Sequence, residues 1–233
     1  MKRVLITGAT RGIGKSIAIK FKQCGHYVIG TGTQLSFDRN HLDEYIQSDF
    51  TNIQEIEYLC TCISNEKIDV LVNNAGINII NDFCNISSSD FLKVQQVNTY
   101  APFRISQSVI DHMINRGWGR IVNISSIWAS VSKKGRSNYS MSKSALNGMT
   151  TSISVEFADK GILCNSVSPG FIDTEMTWTN LKKDGVEQVL KNVPIKRLAK
   201  VDEVANLVYM LGSEQNTYIS GQNIIIDGGF TCG

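Results

Sequence analysis

The chain has 233 residues, 42% of them hydrophobic, and a formal net charge of +2 at pH 7, which suits one domain with a full core and argues against nucleic acid or an anionic membrane as the main partner. Its six cysteines lack the paired spacing of a zinc site, so we expect free thiols in a reducing cytosol and no metal. No apolar run is long enough for a signal peptide or a membrane span, which predicts a soluble, cytoplasmic protein.

Short runs of apolar and β-branched residues alternate with helical patterns along the chain. In order, the predicted strands cover residues 3–8, 26–32, 68–76, 119–126, 162–170 and 221–229. The predicted helices cover residues 14–25, 89–117, 138–161 and 201–213. Residues 33–48 leave little room for a crossover helix. No linker or repeat interrupts these elements, so we expect a single domain, 1–233.

Strands that read as continuous apolar runs, separated by helices, are typical of a parallel sheet covered on both faces. We therefore predict an α/β fold, one doubly wound Rossmann-type domain with a parallel sheet, helices on both faces and right-handed crossovers. Ligands bind such sheets at the carboxyl ends of the strands.

The turn between the first strand and the first helix reads TGATRGIG and carries Gly8, Gly12 and Gly14. Glycines allow a tight turn and let the backbone approach a pyrophosphate. The helix that opens there directs its free N–H groups at that anion. Because these glycines stand between a strand and a helix, they predict a dinucleotide site.

The end of the second strand indicates which dinucleotide binds. NAD sites usually carry an acidic residue about 20 residues past the glycines, whereas this chain reads Gly30-Thr31-Gly32-Thr33 there. Arg11, inside the glycine turn, has a guanidinium that suits a 2′-phosphate. We therefore favour NADPH over NADH. The alternative is that Arg11 is merely solvated and Asp38 turns in from the following loop to bind NAD.

The stretch NYSMSKSALNGM (138–149) sets Tyr139 four residues ahead of Lys143. On a helix these side chains share a face, and Ser126 ends a strand at the same edge of the sheet. A phenol with a pKa near 10 is a poor acid–base catalyst at neutral pH, and a nearby ammonium lowers that pKa. Bringing the pKa to about 7 takes roughly 4 kcal/mol, at ~1.36 kcal/mol per unit.

These residues belong to a set of segments that resembles the short-chain dehydrogenase/reductase family, of the compact single-domain type, over nearly the whole chain. In order, the segments are TGATRGIG (7–14), Asp49 after the third strand, NNAG (73–76), Asn98 in QVNTYAPF, NISS (123–126), YSMSK (139–143), PGFIDTEM (169–176) and SGQNIIIDGG (220–229). Any one of these segments could arise by chance, but all of them in the order and spacing of the family could not.

The resemblance implies a role for each catalytic residue. Tyr139 would give a proton to the substrate oxygen as hydride arrives from the nicotinamide, and Ser126 would hold that oxygen. Lys143 would bind the nicotinamide ribose and keep Tyr139 acidic, while Asn98 would hold a water that links Lys143 to solvent. Besides Tyr139 and Lys143, the implied cofactor-binding residues are Gly8, Thr10, Arg11, Gly12, Ile13, Gly14, Thr33, Asp49, Phe50, Asn74, Ala75, Gly76, Pro169, Gly170, Ile172 and Thr174.

Within the family, VIGTGT and PGFIDTEM are similar to 3-oxoacyl-acyl-carrier-protein reductases, which use NADPH to reduce a β-keto thioester. Two features depart from that pattern. The segment from Thr33 to Ser48 is short, so the helix after the second strand is stunted or missing. The basic residues near the expected mouth are also few for an acidic carrier protein: Arg116, Arg120 and Lys160. We expect a small-molecule or carrier-bound carbonyl substrate.

Residues 174–198 are predicted to form a mobile lid that selects the substrate. Met176, Trp178 and Leu181 would give it an apolar wall, although Trp178 alternatively packs against the body, and Trp128 adds a second indole to the rim. The resemblance also implies a homotetramer paired through the two long helices. Two other functions remain open: an NAD-dependent alcohol or sugar dehydrogenase of this family, and a non-catalytic nucleotide-sensing or scaffolding protein.

Overall fold

The computed structural model describes the backbone of residues 1–233 and all side chains except that of Asn180. Seven strands form one sheet, and every neighbouring pair is parallel. The strands are β1 (Arg3–Ile6), β2 (Tyr27–Gly32), β3 (Glu44–Gln47), β4 (Val70–Asn73), β5 (Gly119–Ile124), β6 (Ile162–Pro169) and β7 (Asn223–Ile226). Their order is β3-β2-β1-β4-β5-β6-β7, so the winding reverses between β1 and β4, where such sheets open a ligand crevice.

Seven α-helices flank the sheet. They are α1 (Gly12–Gln23), α2 (Ile53–Ser64), α3 (Ser88–Gln95), α4 (Ala101–Arg116), α5 (Ser137–Phe157), α6 (Glu175–Asn192) and α7 (Val201–Gly212). Because successive strand residues face opposite sides of a sheet, two cores result. Leu5 packs with α2, α4 and α5 on one side, while Val4 and Ile6 pack with α1 and α7 on the other. The predicted doubly wound α/β fold is confirmed.

Three features of the fold differ in detail from the prediction. Helix α2 was not predicted. The predicted helix over 89–117 is divided into α3, a π-helical turn (Gln96–Tyr100) and α4. Most of the predicted lid, 174–198, is α6, whose path breaks at Lys182, where φ is 55°; the mobility of this segment stays a prediction. As predicted, no helix joins β2 to β3.

The six cysteines are free thiols, of which Cys60 and Cys164 are buried. Among the residues that the structure describes, no helix is both long and apolar enough to cross the membrane.

Candidate active site

The glycine turn between β1 and α1 is shaped by contacts that only glycine permits. Gly8 and Gly12 have φ values of +68° and +53°, in the region that residues with a Cβ rarely adopt. A Cβ on Gly14 would lie 2.2 Å from the carbonyl oxygen of Gly8, so this position admits no side chain. A Cβ on Gly12 would meet only the methyl of Thr174, at 3.7 Å. The start of α1 therefore opens directly onto the space in front of it.

That space is a cleft of about 630 Å³ along the carboxyl ends of the strands. Every cofactor-binding residue predicted from the sequence lines it, and so does Ser126. Asp38 does not line it; its carboxylate lies 3.9 Å from Lys15 Nζ. The cleft thus gathers residues from eight separate segments of the chain, although which of them bind a cofactor stays a prediction.

Asn74 fastens the loop after β4 to the glycine turn. Its side-chain amide donates to the carbonyl oxygens of Thr7 and Gly8, at 2.8 and 3.1 Å. In return, Thr7 Oγ1 accepts the backbone N–H groups of Asn74 and Ala75, at 2.9 and 3.0 Å. The amide of Asn74 is therefore engaged in holding the turn.

Lys143 lies at the other end of the cleft, almost fully buried, with 3% of its surface exposed. Its ammonium donates to the carbonyl oxygen of Ile124 at 2.8 Å. Burial lowers the pKa of this lysine to about 8, because a charge is disfavoured away from water. At pH 7 the lysine therefore still carries its proton.

Tyr139 is half-buried in the wall of the cleft, with Lys143 Nζ 5.6 Å from the centre of its ring. Burial raises the pKa of the phenol above its ordinary value, and a hydrogen bond with Ser126 and the charge of Arg136 only partly oppose this. The expectation that Lys143 brings this pKa to about 7 is therefore wrong for this structure. Desolvation outweighs the neighbouring charges, and the ammonium is directed at Ile124 instead.

Asn98 does not line the cleft but lies behind it, in the π-helical turn between α3 and α4. Its Oδ1 accepts from the N–H of Ile77 at 2.8 Å, and its Nδ2 donates to the carbonyl of Ile77 at 2.8 Å and to Ser142 Oγ at 3.0 Å. A Cβ on Gly76 would lie 3.3 Å from both Asn98 Oδ1 and Lys143 Nζ. Asn98 thus joins the loop after β4 to α5 beside the lysine; a bound water there stays a prediction.

Two groups near the pair formed by Tyr139 and Lys143, called the dyad below, were not predicted. Ile124 acts through its backbone carbonyl, which leaves no side-chain signal in the sequence. Ser125 donates to the carbonyl of Lys143 at 3.1 Å. It lies next to Ser126 in the NISS segment, and this position was the signal in the sequence that could have identified it.

An aromatic cluster stands beside Ser126. Trp128 meets Phe171 and Phe230 edge-on, with ring centres 6.1 and 6.3 Å apart. Only Trp128 was predicted, because the other rings come from distant parts of the chain. Trp178 is 44% exposed and donates from its indole to Asp173 Oδ1 at 2.7 Å, so this hydrogen bond, rather than burial in the body, holds it.

Two of the basic residues considered for a carrier protein are not free surface charges. Arg120 is buried and donates to the carbonyls of Gly119, Gly161 and Asn216. Arg116 pairs with the buried carboxylate of Asp69 at 3.1 Å.

The shape and polarity of the cleft fit an elongated, anionic dinucleotide. At one end a glycine floor and the free N–H groups of α1 suit a pyrophosphate. At the other end a buried ammonium, a phenol and the Ser126 hydroxyl converge on space large enough for a reacting group.

Comparison with known proteins agrees with this geometry. A family model described as enoyl-(acyl carrier protein) reductase matches residues 8–231. The 3-oxoacyl-[acyl-carrier-protein] reductase of Buchnera aphidicola subsp. Schizaphis graminum is 38% identical over 98% of this chain and 96% of its own.

Two solved structures are also similar. A 4-hydroxyisoleucine dehydrogenase complexed with NADH has a TM-score of 0.91 and 32% identity, covering all of both chains. A gluconate 5-dehydrogenase from Burkholderia cenocepacia, in complex with NADP and tartrate, has a TM-score of 0.90 and 26% identity, covering 100% of this chain and 96% of its own. With the family model and the full-length relatives, these matches show that the chain belongs to the short-chain dehydrogenase/reductase family of nicotinamide-dependent oxidoreductases.

Proposed function

We propose that this protein reduces the keto group of 3-oxoacyl thioesters to a hydroxyl, with NADPH as the reductant. The observation that carries the proposal is the meeting of Ser126, Tyr139 and Lys143 at one end of a cleft whose other end is the glycine turn between β1 and α1. The substrate class comes from the full-length relatives, which are named as 3-oxoacyl-[acyl-carrier-protein] reductases.

NADPH, when bound, supplies the hydride that adds to the carbonyl carbon. Tyr139 supplies the proton that the oxygen takes up, and the raised pKa of its phenol keeps that proton in place at pH 7 until the oxygen becomes basic. Ser126 donates a hydrogen bond to the same oxygen. Lys143, whose pKa is about 8, would bind the nicotinamide ribose, while the Ser126 hydrogen bond and the charge of Arg136 favour the phenolate left behind. The keto group thus gains one hydride and one proton.

The preference for the phosphorylated dinucleotide rests on the end of β2. Thr33 and Gln34 line the cleft there, and the sequence at the end of β2, Gly30-Thr31-Gly32-Thr33, lacks the acidic residue that usually binds the ribose hydroxyls of NAD. Arg11 pairs with Glu175 at 3.2 Å, but 68% and 73% of the two side chains are exposed. Such a pair is weak, so Arg11 is able to turn to a 2′-phosphate. Relatives bind either form, as NADH and NADP complexes show.

The test is turnover of acetoacetyl-CoA with NADPH, followed by loss of the reduced cofactor's absorbance. Tyr139→Phe is expected to lower kcat by roughly 10³-fold, a usual effect of losing a general acid. Tyr218→Phe is the matched control, because that side chain is 95% exposed. Full turnover by Tyr139→Phe would contradict the proposal and favour a non-catalytic protein. Faster reduction of crotonyl-CoA would instead indicate an enoyl reductase.

Assembly is part of the proposal. Apolar side chains remain exposed on and beside the two long helices: Tyr100, Phe103, Met141 and Val155. A homotetramer paired through α4 and α5 would cover them, and sedimentation velocity distinguishes it from a monomer or dimer. We further propose that the protein works in the cytoplasm.

A further inference from the structure

Arg136 is the one arginine whose guanidinium has no hydrogen-bond or ion-pair partner among the residues that the structure describes. The other seven donate to a carboxylate or a backbone carbonyl: Arg3, Arg11, Arg39, Arg104, Arg116, Arg120 and Arg197. Among the side chains that the structure describes, none lies within ion-pair or hydrogen-bond distance of the Arg136 guanidinium. The guanidinium instead lies over the aromatic ring of Trp128.

This cation lies near the reacting end of the cleft, although Arg136 itself is not one of the residues that line it. Its guanidinium carbon lies 5.8 Å from the centre of the Trp128 ring, and the backbone N–H of Trp128 donates to Ser126 Oγ at 3.2 Å. Arg136 precedes Tyr139 by three residues, and its positive charge acts on the phenol by lowering its pKa. Arg136 is therefore near Ser126 and Tyr139, which hold the substrate oxygen in the proposed reaction.

Arg136 is half-buried, and burial disfavours its charged form and so lowers its pKa, while its guanidinium nitrogens stay open to water or a ligand. An anion brought in by a ligand removes that penalty. A carboxylate suits a guanidinium best, because two oxygens match two N–H groups. The indole of Trp128 limits the freedom of the guanidinium and packs edge-on against Phe171 and Phe230.

We propose that Arg136 binds a carboxylate on the carbonyl substrate, and hence that the protein reduces free 3-oxo acids in addition to thioesters. The inference rests on the proposed function, since the same C3 keto group is reduced by one hydride and one proton while C1 is unchanged. In a thioester, Arg136 would face a neutral carbonyl oxygen at C1. In the free acid it faces a carboxylate, which also compensates its charge.

The test compares acetoacetate with its neutral counterpart, methyl acetoacetate, at saturating NADPH. Wild-type protein is expected to have the higher kcat/KM for acetoacetate. Arg136→Gln should lose roughly 100-fold on acetoacetate, as for loss of a charge-assisted pair, and at most about threefold on the ester. The loss should fall mainly on KM. Arg136→Lys should recover part of it.

Lys133→Gln is the control, because Lys133 is exposed on the same loop and its loss changes the net charge equally. It should leave both substrates unaffected. Binding without turnover gives a second readout: calorimetry of butyrate with the protein–NADP⁺ complex should detect binding to wild type and none to Arg136→Gln.

The outcomes separate this inference from the function on which it rests. Reduction of acetoacetyl-CoA and the methyl ester but not of acetoacetate would overturn the role of Arg136 and leave the proposed function standing. Equal losses of Arg136→Gln on acid and ester would also overturn it, because Arg136 would then act only on Tyr139. Absence of any reduction, with Tyr139→Phe indistinguishable from wild type, would instead refute the proposed function.

Discussion

Replacing Lys143 with Met should change how the stability of the fold depends on pH. The substitution keeps much of the apolar stem and removes a buried ammonium, which donates to the Ile124 carbonyl at 2.8 Å and has no carboxylate within ion-pair distance among the described side chains. Burial lowers the pKa of Lys143 from 10.5 to about 8. The unfolded chain therefore keeps a proton at Lys143 in a pH range where the folded protein has released it.

Because the unfolded state binds more protons there, the free energy of unfolding rises with pH between about 8 and 10.5. The limiting slope is about 1.36 kcal/mol per pH unit. With both protonation equilibria included, the contribution of Lys143 grows by about 2 kcal/mol between roughly pH 7 and 9.5. Lys143→Met lacks this term, so wild type should gain that much relative to the variant.

Urea unfolding, followed by circular dichroism at several pH values, measures the difference for both proteins. Subtraction removes the titration of groups that they share. Lys133→Met, at an exposed position, should differ from wild type by a constant. A difference between wild type and Lys143→Met that stays flat, or falls as pH rises, would show that burial does not disfavour this ammonium.

The remaining predictions concern the cofactor end of the cleft and the direction of the reaction. Arg11→Ala should raise KM for NADPH by about 10-fold in steady-state assays, the effect of losing one charge-assisted contact, and should leave KM for NADH unchanged. Glu175→Gln removes the carboxylate that pairs with Arg11 and should therefore lower KM for NADPH. Gly14→Ala should unfold at lower urea concentration and bind no dinucleotide by calorimetry, because its Cβ would lie 2.2 Å from Gly8 O. Gly148→Ala, with nothing within 4 Å of its new Cβ, should instead stabilise α5 by up to about 1 kcal/mol. Since the pKa of Tyr139 is raised, the reverse oxidation of a 3-hydroxyacyl thioester, which needs the phenolate, should keep accelerating above pH 8, and a plateau below pH 7 would contradict the raised pKa.

The fold was predictable because its signals are local. Each buried strand is an apolar run, and each strand-to-helix turn marks a ligand edge of the sheet, so the positions of Gly12, Ser126 and Tyr139 followed from their places in the pattern. Helix α2 was missed although Ile56, Leu59, Cys60 and Ile63 are buried at helical spacing. β3 had no predicted boundaries, since four residues, of which three are half-buried and one is exposed, give almost no periodic signal.

The proton affinities at the dyad were not predictable in the same way, because they depend on what packs around each group. A four-residue interval places an ammonium and a phenol on one face of α5, and from the interval alone the ammonium should acidify the phenol. In the folded protein Ile124 takes the ammonium at 2.8 Å, and burial moves both pKa values toward the neutral forms. The phenol then enters the reaction holding its proton. An acid that releases this proton only to an oxygen made basic by hydride is suited to reduction at neutral pH, so the raised pKa is compatible with the proposed role of Tyr139 as the donor.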